Sequence, residues 1–187
     1  MPSGNVHNLV NTIAYVGFAG AYGYAHSAQW AQLEPTTLLC FSGAFMAGTF
    51  MLSPDLDLAE QNVSSKKNWG ILGFLWVPYG LMFSHRGLSH TWIVGPLTRV
   101  LYLGLLLALP IWLLRRPILE TELEGVTRGL VHDLLNSLQH VFSSGVLASQ
   151  AGLGAVVGYY VSQWLHLIAD GVAPDVRLNA KKRRTRR

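Results

Sequence analysis

The sequence predicts an all-α protein: an integral membrane helical bundle of about four transmembrane helices, with interfacial helices beside it. Three observations lead there. Half of the 187 residues are hydrophobic and 13% are charged, against about 25% charged in an average soluble domain. The deficit is clustered, because Glu34 is the only charged side chain before Asp55. Two further runs, 91–114 (interrupted by Arg99) and 145–168, reach the roughly 20 residues that a membrane-spanning helix needs. A helix on a soluble core rarely stays uncharged on every face for so long.

Taken in order, the spans are expected at 9–33, 36–53, 91–114 and 145–168. The opening "MPSGNVHNLV" lacks the basic stretch and small-residue cleavage site of a secretory signal, so the first apolar segment is expected to remain. Pro54 drives Ser53 out of helical geometry and ends the second span. Cys40 lies inside that span as a small buried hydrophobe. Residues 69–83, "WGILGFLWVPYGLMF", are too short to span comfortably and read as a re-entrant or interfacial piece with an aromatic belt. Leu123, Val126, Leu130, Leu134, Leu138 and Val141 form a helical stripe, an amphipathic helix to which no chemistry is given. Gly154 and Gly158 form a GxxxG, a weak motif for close helix packing.

Charge divides the chain into a domain at 1–176 and a tail at 177–187. The first holds seven Lys/Arg and ten Asp/Glu, a net −3, and the tail adds +7. Such a tail is a topology signal attracted to anionic lipid headgroups. Nucleic-acid binding is the weaker reading, because nothing else resembles a base- or phosphate-reading module. The tail places the C-terminus on the cytoplasmic side of a bacterial inner membrane or thylakoid.

With this topology, potential metal ligands collect at the cytoplasmic end of every span. His7 precedes the first; Asp55 and Asp57, in "SPDLD", end the second. His85 and His90, in "HRGLSHTW", open the third; His166 and Asp170, in "HLIAD", close the fourth. Random polar residues would divide between both ends. His166 and Asp170 are four apart and share a helix face. Asp55 and Asp57 share a side if the chain there is extended. His85 and His90 diverge on a continuous helix, so Gly87 is expected to break it. Mixed imidazole and carboxylate donors suit zinc first, then manganese or iron, as one or two ions.

The order of His7, "SPDLD", "HRGLSH" and "HLIAD" resembles a family of metal-binding bacterial membrane proteins, in its cyanobacterial branch, related to membrane-bound metal-dependent hydrolases. The resemblance covers the chain except 116–144 and the tail. It implies ligands at His7, Asp55, Asp57, His85, His90, His166 and Asp170.

Two functions follow as expectations. The first is a metal-dependent hydrolase of a lipid phosphoester, or of another substrate held at the membrane surface, with Arg86 stabilising charge on phosphoryl oxygens and Asp57 as general base. The second is a non-catalytic membrane protein whose metal is structural, within a larger membrane complex.

Overall fold

The computed structural model describes residues 3–58, 63–83, 87–114 and 149–172, together with positions 132, 133, 136 and 145; the side chains of 110–114 are excepted. The described residues form helices and no strand. The helices are α1 (Gly4–Ser27), α2 (Pro35–Phe50), α3 (Ser64–Asn68), α4 (Val77–Met82), α5 (Val94–Leu114) and α6 (Gln150–Ala169), with 3-10 turns at Pro54–Asp57, Gly70–Trp76 and Leu88–His90.

Local chemistry sets the boundaries. Pro35 stands at the start of α2, where its missing N–H costs nothing. Ser149 caps α6, its Oγ accepting from the Gly152 N–H at 3.1 Å. At the other end Gly171 takes the left-handed conformation (φ 70°) and stops the helix. Its N–H donates to the Ile168 carbonyl, and the Val172 N–H to that of Leu167, each at 2.9 Å.

α2 and α6 pack backbone to backbone. A Cβ on Gly158 would lie 2.2 Å from the Phe41 carbonyl oxygen, and one on Gly154 2.8 Å from that of Thr37. Around this pair the interior is polar. Asn11 of α1 donates to the Ser162 carbonyl at 2.9 Å and to Thr49 Oγ1 at 3.1 Å. Arg99 of α5 is wholly buried and donates to Gln163 Oε1 and to the Ser89 carbonyl. A separate apolar cluster of Leu56, Trp76, Tyr79 and Tyr102 lies under the 3-10 turn and α4.

The structure corrects the membrane assignment. Among the described residues no helix is long and apolar enough to cross a membrane. The integral membrane bundle, and the placement in a bacterial inner membrane or thylakoid, are overturned; the all-helical class stands. The reason is that uncharged is not the same as apolar. α1 has the length, at 24 residues, but includes Asn5, Asn8, Asn11 and Thr12. α2 has 16 residues, about 24 Å at 1.5 Å per residue, short of the ~30 Å hydrocarbon layer. Ser162, Gln163 and His166 lie buried on α6. Large apolar side chains remain exposed on the outer faces, among them Ile13, Leu101 and Leu105.

The segment 69–83 forms a 3-10 turn followed by α4 rather than a single piece. Pro54–Asp57 is likewise a 3-10 turn, so the extended geometry that would put Asp55 and Asp57 on one side is absent there. The helical stripe at 123–141 and the tail at 177–187 lie outside the described residues, apart from positions 132, 133 and 136.

Candidate metal centre

Each described candidate donor sits where a helix or 3-10 turn starts or stops. His7 lies in the second turn of α1, facing inward and 2% exposed. Ser53, extended at ψ 155°, turns the chain out of α2, and its Oγ accepts from the Asp55 N–H at 3.3 Å. This starts the 3-10 turn that carries Asp55 and Asp57. His90 closes the 3-10 turn Leu88–His90, so the break expected at Gly87 is present and α5 begins only at Val94. His166 lies in the last turn of α6, and Asp170 is the residue that caps it.

Six of the seven expected donors come together. His7 Nε2 lies 3.3 Å from Asp170 Oδ1. His166 Nε2 lies 3.5 Å from Asp55 Oδ1 and 3.8 Å from Asp170 Oδ2. His90 Nε2 lies 3.9 Å from Asp170 Oδ2, and its Nδ1 lies 2.9 Å from Asp57 Oδ2. The rings of His7 and His166 stack, with centroids 3.9 Å apart. Donor atoms of His7, His166 and Asp170 all lie within 4.8 Å of one another, a spacing that suits a metal ion. The seventh, His85, lies outside the described residues, as does Arg86.

Behind this cluster stands a tier of buried polar groups that sequence reasoning missed. Ser89 Oγ donates to Asp57 Oδ2, the oxygen that also faces His90. Arg99 holds the Ser89 carbonyl and Gln163, and Gln163 donates to the Gly48 carbonyl at 3.0 Å. Lys66, 2% exposed, donates to the Leu58 carbonyl. One signal existed for Arg99: a lone charge inside an apolar run costs several kcal/mol when buried unless it is paired. Nothing in "SSKKN" marks Lys66 for burial.

The electrostatics suit a cation. The carboxylate of Asp170 is wholly buried, that of Asp55 is 14% exposed, and histidines are their near neighbours. Burial alone would raise the pKa of Asp55, but the His166 imidazole 3.5 Å away, helped by the charges of His7 and His90, holds it below the ordinary carboxylate value. Burial, then repulsion from His166, lowers the pKa of His7. That favours the neutral imidazole, the form that ligates a metal. Four buried atoms at the centre, His7 Nδ1, His166 Nε2 and both Asp170 oxygens, have no hydrogen-bond partner. Each such group costs about 1–3 kcal/mol if left unsatisfied. Three of them, His166 Nε2 and the two Asp170 oxygens, point among the clustered donors, so the residues present fit a bound divalent ion.

His132 and Asp133, left out of the site by the sequence, are exposed, with side chains 72% and 84% accessible.

Comparison with known proteins agrees with this chemistry. No solved structure matches the chain. A protein of Aquifex aeolicus (strain VF5) described as "Uncharacterized protein" is 28% identical over 138 residues, which is 73% of this chain and 92% of that relative. Residues 2–180 match the family described as "Uncharacterized metal-binding protein (DUF2227)". A relation to membrane-bound hydrolases, which the sequence motifs suggested, is not among these matches; with nearly the whole chain covered, the protein belongs to this family of metal-binding proteins.

Proposed function

We propose that the protein is a metal-dependent hydrolase of phosphoesters, built on a divalent-metal centre of His7, His166 and Asp170 with Asp55 and His90 in reach. The observation that carries this reading is the surplus of donors. Five imidazole and carboxylate groups are linked by contacts of 3.3–3.9 Å, more than the four that close a structural zinc site. Bound there, a divalent ion lowers the pKa of water and polarises a phosphoryl oxygen. Zinc fits the mixed N and O set best, with manganese or iron next.

In this reading Asp57 orients rather than ligates. It accepts from Ser89 and faces His90 Nδ1, which presents Nε2 to the centre in the carboxylate–histidine arrangement common behind metal ligands. Asp55 is the rim of the site, the one of its three described carboxylates that water reaches.

A second reading is favoured by burial. His7, His90 and His166 are 2–3% exposed, and a closed metal would clamp the ends of α1 and α6 to the 3-10 turns Pro54–Asp57 and Leu88–His90.

His90→Ala and Asp170→Ala should each lower bound metal per chain, and His132→Ala should leave it unchanged. Metal content of the three purified proteins checks this, followed by a phosphoester panel on wild type. Metal lost from His132→Ala and kept by the other two would sink the site. Metal bound with no ester cleaved would favour the clamp.

A further inference from the structure

The stacking of two of the donors bears on how many ions the proposed centre holds. The rings of His7 and His166 lie face to face, tilted by 16° with centroids 3.9 Å apart. An ion on an imidazole nitrogen sits near the ring plane, about 2.0–2.1 Å away for zinc. Two stacked planes tilted so little meet far beyond that reach. One ion therefore does not lie on the lone pairs of both rings.

The carboxylate beside them divides in the same way. Asp170 Oδ1 faces His7 Nε2 at 3.3 Å, and Oδ2 faces His166 Nε2 at 3.8 Å. Neither oxygen has a hydrogen-bond partner. Neighbouring ligands on one tetrahedral zinc stand about 3.3 Å apart. Each oxygen–nitrogen pair thus has roughly the dimension of an edge of its own coordination sphere. Asp55 Oδ1, 3.5 Å from His166 Nε2, and His90 Nε2, 3.9 Å from Asp170 Oδ2, fall on the second side.

We infer that the centre binds two divalent ions bridged by Asp170, one on His7 and Oδ1, the other on His166, His90, Asp55 and Oδ2. The inference rests on the metal centre proposed above and deepens it. Paired ions in such sites stand about 3.5–4 Å apart, the same scale as the ring stacking. The two sides are unequal. The second has four protein donors, while the first has two among the described residues and keeps positions for water and an ester oxygen. A phosphoester, with two oxygens to share between two cations, is the substrate class this arrangement takes.

The full chain, stripped of metal and titrated with Mn2+ and in parallel with Zn2+, provides the test. The expected result is two ions per chain, with the Mn2+ form giving the exchange-coupled EPR spectrum of a bridged pair. His7→Ala should keep one ion and show the hyperfine pattern of isolated Mn2+. Asp170→Asn should abolish the coupling. One ion per wild-type chain, or two without exchange coupling, would overturn the bridge and leave the single-centre reading standing. Loss of both ions, or of neither, in His7→Ala would overturn the division of ligands. Failure of wild type to bind either metal would instead remove the hydrolase reading itself.

Discussion

Lys66 shows what a single buried charge does to this molecule. It is 2% exposed, and burial lowers its pKa from 10.5 against the opposing pull of Asp57. Its ammonium donates to the Leu58 carbonyl, just beyond the turn that carries Asp55 and Asp57. The sign of the linkage follows from the direction of the shift. With the folded-state pKa below the unfolded one, the unfolded chain binds more protons in the interval between them, and stability rises with pH there. The buried tyrosines act oppositely: burial raises their pKa values, that of Tyr159 to about 12. Stability therefore falls as the unfolded tyrosines ionise above about pH 10. The window for Lys66 extends downward from its ordinary value of 10.5. Urea midpoints measured at about pH 7.5 and about pH 9.5 should rise more in wild type than in Lys66→Met. An equal slope in both proteins would mean that Lys66 does not carry the effect.

At the scale of elements, the pair α2 and α6 holds the site together, because α6 delivers His166 and Asp170 while α2 leads into Asp55. Their approach depends on glycines. A methyl on Gly158 would meet the Phe41 carbonyl carbon at 2.9 Å and its oxygen at 2.2 Å, a backbone that cannot rotate away. Gly158→Ala should cost about 1–3 kcal/mol or more through forced separation of the helices. Gly20→Ala, on the exposed side of α1 with nothing within 4 Å, should gain up to about 1 kcal/mol from helix propensity. Thermal midpoints moving in opposite directions check both; a harmless Gly158→Ala would refute the backbone contact. The helices were legible in the sequence, because long uncharged runs between Pro, Ser and Gly boundaries have few other folds. The cluster of donors was legible too, since His7, Asp55, His90, His166 and Asp170 all stand at ends of those runs. The environment of the runs was not. Asn11, Ser162 and Gln163 pair with backbone or side chains far along the chain, and no local pattern announces a partner 151 residues away. Counting charges therefore made polar helices look like membrane spans.

For the whole molecule, the partition of charge predicts that metal binding and lipid attraction can be separated. Residues 1–176 carry a net −3 and every candidate donor, whereas 177–187 carry +7 and none. The family match ends at residue 180, before "KKRRTRR". A basic run of this kind adds about 1 kcal/mol per Lys or Arg close to an anionic lipid surface, attenuated by salt. Deleting 181–187 removes six of these charges. It should weaken binding to phosphatidylserine-containing vesicles by at least tenfold at low ionic strength, with little difference on neutral vesicles. Metal per chain should stay the same, because the donors and the Asp57–Ser89–Arg99 groups behind them all lie before the cut. Vesicle co-sedimentation and metal analysis of the same preparations read both quantities. Metal lost on truncation would tie the tail to the centre and refute the separation. Unchanged vesicle binding would refute the lipid role of the tail.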